Sequence, residues 1–164
     1  MIRTAPQPYN LFVGMGLILL SVVVALLPIA TLYRSVAILL CAYLAFSNSG
    51  TAAAYIIVLF SPLFGLRYET NQWLVLLPVM LSTNLLAILG LDYGWRYGAI
   101  VLSPLLCALP QIVAWQGAQH PLMNVVLPWE PSAETWLTLH VLTAVAGVAV
   151  GLALDYKRRP NTRT

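Results

Sequence analysis

Three residues of this chain carry chemistry that is out of keeping with their surroundings: His140, Asn84 and Gln111. His140 lies about five residues inside a long apolar run, with Thr138 and Thr143 beside it. An ionisable ring at membrane depth is a candidate for function, or it is a neutral histidine that makes one hydrogen bond to a neighbouring helix. The other histidine, His120, stands beside Pro121. Two histidines with no Asp or Glu at ligand spacing make a weak metal site, so neither metal nor cofactor is expected.

Asn84 closes the triplet Ser82-Thr83-Asn84, near the middle of another apolar run. Ser and Thr can bond back to the carbonyl four residues earlier. Asn is not fully satisfied that way and seeks a partner across a helix interface, a bond that contributes roughly 0.6–2 kcal/mol. Gln111 follows Pro110 in a run where Pro104 and Pro110 bracket Cys107. Proline removes a backbone donor and kinks a helix, and the freed carbonyls can line a cavity. Asn48 belongs to a polar notch, Ser47-Asn48-Ser49-Gly50-Thr51, inside 32 uncharged residues. Asn84, Thr83, Asn48, His140 and Gln111 are therefore the candidate binding residues. Gly147 and Gly151 form a GxxxG that allows close helix approach, within the bundle or on another chain.

No catalytic set can be assembled. The chain has no G-x-S-x-G, H-E-x-x-H, Walker A or G-x-G-x-x-G, the patterns that would signal hydrolytic, metal or nucleotide chemistry. No carboxylate lies near the middle of an apolar run, so proton- or sodium-coupled pumping lacks its usual groups. Cys41 and Cys107 stand inside apolar runs without CxxC or Cys/His spacing and read as small core residues. An enzyme is not expected.

The elements that must hold these residues follow from composition. The 164 residues are 60% hydrophobic and 8% charged, with mean hydropathy +0.85. Soluble domains are about 25% charged. This chain has too little polar surface to coat a water-soluble globule, which excludes an ordinary cytosolic enzyme, a disordered regulator and a nucleic-acid module. It predicts an all-α, polytopic integral membrane bundle as one domain. Spans are expected at 11–33, 35–46, 51–66, 73–91, 97–116 and 135–155. That makes six helices with a short second and third, or five if 35–66 is one broken span. The first apolar run is too long for a signal-peptide core and no A-x-A site follows it, so it reads as a retained span.

Between the spans, Asp92–Arg96 is expected to be a tight connector with a surface ion pair, and 117–134 an outer loop ordered against the bundle. Residues 156–164 form a basic tail, with Asp155 at the interface. Trp73, Trp95, Trp115, Trp129 and Trp136 fall near span boundaries, where aromatic belts form. Lys and Arg concentrate on cytoplasmic loops. With six helices that rule sets Arg3, Arg96 and the four tail cations inside and Arg34 and Arg67 outside. With five, the N-terminal arm lies outside and the cation bias is the same. Both give a multi-pass cell-membrane protein with a cytoplasmic C-terminus. Its partners are expected to be the lipid bilayer and a larger membrane or envelope protein, against which it packs as a non-enzymatic subunit. The alternative is a binding subunit for uptake of a small, largely apolar solute. A solid interior favours the first reading. An interior cavity of roughly 300 Å³ or more with convergent polar groups favours the second.

Overall fold

The computed structural model describes residues 11–67, 72–118 and 133–158. Their regular structure is all helical, with six α-helices and no strand among the described residues. The helices are α1 (Leu11–Leu26), α2 (Thr31–Ser49), α3 (Thr51–Phe64), α4 (Gln72–Arg96), α5 (Ser103–Ala118) and α6 (Ala133–Arg158). Short 3₁₀ turns, Gly65–Arg67 and Ile100–Leu102, follow α3 and precede α5. The loop expected at 117–134 is shorter, because α5 runs to Ala118 and α6 begins at Ala133. Its expected ordering, with His120 and Trp129, lies outside the described residues, as do the N-terminal arm and the tail beyond Arg158.

Proline and glycine explain where the helices differ from the sequence-based spans. The first does not run to residue 33. It stops at Leu26, because Pro28 lacks a backbone donor and disfavours helical geometry at Leu27. Tyr33 and Arg34 therefore belong to α2, which is 19 residues long rather than short. The notch does split 35–66 into two helices. The break is the single residue Gly50, at φ 92° and ψ 176°, which ends α2 and opens α3. That region of backbone space is essentially restricted to glycine. Asp92–Arg96 is not a connector but the last turn of α4, stitched by an i,i+4 pair between Arg96 Nε and the Asp92 carboxylate at 2.9 Å. Donating this hydrogen bond to Asp92 raises the Arg96 pKa. α5 begins six residues later than expected, at Ser103, with Pro104 in its first turn, where a missing N–H is tolerated.

Among the described residues, two helices are long and apolar enough to cross a membrane, over Leu32–Ser49 and Glu134–Leu154. The apolar helices Leu11–Leu26, Thr51–Phe64 and Ser103–Val113 are shorter. At 1.5 Å per residue the 14-residue α3 rises about 21 Å, against a hydrocarbon core of about 30 Å.

Close contacts give the topology. Gly14 of α1 meets Ser49 and Ala53, and Ser21 of α1 bonds Ser61 of α3 at 2.6 Å, so α1 and α3 run parallel. Gly147 sits under Tyr43 and Gly151 under Ser47, so α6 runs parallel to α2. Gly90 against Leu106 and Gly94 against Ser103 make α4 and α5 antiparallel. α2 is the central helix, touching α1, α3, α4 and α6. It supplies Ile38, Leu39, Cys41, Ala42, Tyr43, Ala45 and Phe46 to the core, which α4 completes with Ala87, Ile88, Leu91 and Trp95.

Candidate polar site in the bundle core

The polar side chains of α4, α5 and α6 meet in the interior. Asn84, fully buried on α4, shares its inward face with Met80, Ala87 and Leu91, all buried. Its Oδ1 accepts a hydrogen bond from Gln111 Nε2 of α5 at 3.1 Å. The Gln111 backbone carbonyl accepts in turn from the Trp136 indole N–H of α6, also at 3.1 Å. One helical turn on, His140 Nδ1 lies 2.9 Å from the Trp136 carbonyl, and the two rings pack with centroids 4.4 Å apart. Asn84, Gln111, Trp136 and His140 thus form one chain of contacts through three helices. Asn84 Nδ2 and His140 Nε2 are buried without a hydrogen-bond partner.

Two of the candidate residues lie apart from this chain. Thr83 is adjacent in sequence, but its hydroxyl bonds the Met80 carbonyl at 3.2 Å and it lines the outer side of the α4–α5 seam. Asn48 sits near the C-terminal end of α2, and its amide bonds the Leu44 carbonyl at 3.0 Å. The GxxxG pair is used within the bundle. A Cβ on Gly147 would stand 2.5 Å from Tyr43 Cβ, and one on Gly151 2.5 Å from Ser47 Oγ. Both cysteines are free and buried, and the Cys107 thiol donates to the Ala87 carbonyl at 3.4 Å across α4 and α5.

Sequence reasoning missed three features. Trp136 and Trp95 are buried inside the bundle, at 3% and 5% exposure, and are not belt residues open to lipid headgroups. Trp136 is held inward by its bond to Gln111, Trp95 by edge-on packing against Phe46 with centroids 6.0 Å apart. The side chains of Trp73 and Trp115 lie outside the description. Arg34 is not a solvated cation ending the first span. It is fully buried, and its Nη2 donates at 2.9 Å to the carbonyls of both Leu27 and Ile29. Those carbonyls flank Pro28, and a cation at a helix C-terminus is also favoured by the helix dipole. Pro28 six residues before Arg34 was the available signal. The third is the Ser21–Ser61 bond between α1 and α3, which no local pattern marks.

A groove of about 570 Å³ opens on the outer face between α4 and α5. Pro78, Ser82, Thr83 and Leu86 line one wall and Leu109, Pro110 and Val113 the other. The Ser82 hydroxyl is turned back on the Pro78 carbonyl at 2.7 Å. Among the described residues no three His, Cys, Asp or Glu side chains gather where they could hold a metal ion. The chain matches no family model, no curated protein and no solved structure.

Proposed function

We propose that this protein is a small multi-pass membrane subunit that acts by helix packing against a larger membrane or envelope partner, and not by catalysis. The observation that carries the reading is the outward face of α1. This helix buries only small residues, Gly14, Ser21 and Ala25. Leu17, Ile18 and Val24 pack partly against the core, while the other large side chains point away from the bundle, with Phe12 at 84% and Leu19 at 65% exposure and Met15, Leu20 and Val23 beside them. Contiguous exposed apolar surface of this kind marks contact with membrane or protein. Val101 in the turn before α5, Val113 on α5 and Leu142 on α6 continue the apolar exterior, which suits a bilayer on all sides. Gly16 faces open space within the α1 face and leaves a notch in which a partner helix can approach closely.

The tail is assigned to the cytoplasm and 119–132 to the outside by the distribution of Lys and Arg. Burial of Arg34 against its own helix link removes one of the two outer cations from that comparison and strengthens the bias. A second reading, capture of a small apolar solute, draws on the α4–α5 groove. The groove is large enough for a small ligand, but it is open to the outside and its hydroxyls are turned onto their own helix.

Photocrosslinking in the native membrane separates the two. A photoreactive residue at Met15 or Leu19 should give one discrete protein adduct, lost in Gly16→Phe, while one at Val113 should label only lipid. Labelling of a small molecule at Val113, with no protein adduct on α1, would favour the capture reading instead.

A further inference from the structure

We infer that the polar core between α2, α4, α5 and α6 binds one neutral hydroxyl group, held between Asn84 and His140. This goes beyond the packing role of α1 and does not depend on it. The inference is one of donors and acceptors. Asn84 is fully buried; Gln111 occupies its Oδ1, and its Nδ2 has no partner. His140 is buried at 2% exposure, with Nδ1 on the Trp136 carbonyl. A carbonyl only accepts, so Nδ1 carries the proton and Nε2 of the neutral ring is an acceptor. That Nε2 is buried without a partner. The two atoms belong to one cluster, because Gln111 bonds Asn84 with its side chain and receives Trp136 on its carbonyl, while Trp136 packs on the His140 ring.

A third such atom comes from α2. Ser35 is buried at 1% exposure and its Oγ has no partner. Tyr43 lies over Gly147 and Ser47 over Gly151. Carried back about two turns, that parallel register sets Ser35 level with Leu139, the residue before His140 in the sequence. Buried polar groups in native proteins are paired, and leaving them unpaired is costly.

The group that satisfies all three is narrowly defined. It accepts from the Asn84 Nδ2–H and from the Ser35 hydroxyl, and it donates to His140 Nε2. A hydroxyl offers one donor hydrogen and two acceptor lone pairs, which matches. A carboxylate has no proton to give His140, and an ammonium accepts from neither Asn84 nor Ser35. Water and the hydroxyl of a small solute share this chemistry.

The test uses the full chain carrying His120→Gln, so that His140 gives the only imidazole signal. It is labelled with ¹⁵N-histidine and reconstituted in phosphatidylcholine nanodiscs. Nε2 should resonate as a hydrogen-bonded acceptor with a cross-peak to a hydroxyl proton. Isopropanol then serves as the probe. A water cross-peak that survives it identifies bound water, and replacement by an isopropanol cross-peak identifies a solute site; either supports the inference. Asn84→Leu should move Nε2 to the position of a bare ring nitrogen and abolish the cross-peak, with a melting curve to show that the variant is folded. Ser35→Ala, a smaller change, should weaken the same cross-peak. A bare Nε2 before any further substitution, or an Nε2 signal that neither variant moves, overturns the inference.

Discussion

Gln111 donates its side-chain amide to Asn84 Oδ1 at 3.1 Å, joining α5 to α4 where neither residue is more than 2% exposed. Removing one partner strands the other in a dry interior, whereas removing both leaves two apolar groups in contact. Asn84→Leu and Gln111→Leu should each lower the melting temperature in detergent. The double variant should lose less than the sum, with a coupling of about 1 kcal/mol, within the range for bonds between membrane helices. Strict additivity in that cycle would show that the bond contributes nothing.

Gly147 and Gly16 make an opposed pair. A Cβ on Gly147 meets Tyr43 Cβ at 2.5 Å, whereas one on Gly16 meets nothing within 4 Å. Gly147→Ala should destabilise by about 1–3 kcal/mol through overpacking. Gly16→Ala should be neutral or stabilise by up to about 1 kcal/mol, because alanine is the better helix former. Melting curves of the two variants under one detergent condition check the contrast. Equal effects would mean that Gly147 does not lie under Tyr43.

Gly50 is the whole of the link between α2 and α3. Its φ of 92° with ψ of 176° is strained for any residue with a Cβ, at about 1–3 kcal/mol. Gly50→Ala should lower stability by that amount, and Gly50→Leu by at least as much. Unchanged melting in both would place the break elsewhere.

Arg34 caps the carbonyls on either side of Pro28 with a single nitrogen, Nη2. Arg34→Leu removes both bonds and should cost about 1.5–3 kcal/mol, the range for hydrogen bonds to a charged group. Arg34→Lys should recover only part of this, since an ammonium is more strongly hydrated than a guanidinium and costs more to bury. Chemical denaturation of both variants beside wild type measures it. Full rescue by lysine would show that charge alone matters at this position.

Much of this architecture was legible in the residues. Apolar runs and their polar interruptions marked out the six helices seen among the described residues, with five as the alternative, and the notch at residues 47–51 marked the α2–α3 break. Asn84 was recognisable as a residue needing a partner, because an amide deep in an apolar run is not satisfied by its own helix. Helix ends were less legible, because Pro28 and Gly50 act on one or two residues while hydropathy averages over many. Trp136, Trp95 and Arg34 were misplaced for a different reason. Each is amphipathic enough to suit an interface, and only tertiary contacts, to Gln111, Phe46 and the Leu27 and Ile29 carbonyls, draw them inside. Trp136 was consequently the one member of the polar chain that no sequence pattern singled out.

The most direct test of the account is whether α6 crosses the membrane with its tail inside. Engineered single cysteines at Gln119 and Asn161 flank that helix, and the native Cys41 and Cys107 are buried. A membrane-impermeant maleimide added to intact cells should label the Gln119 site at once and the Asn161 site only after permeabilisation. Labelling of both sites from outside would contradict a membrane-spanning α6, and labelling of Asn161 alone would contradict the orientation.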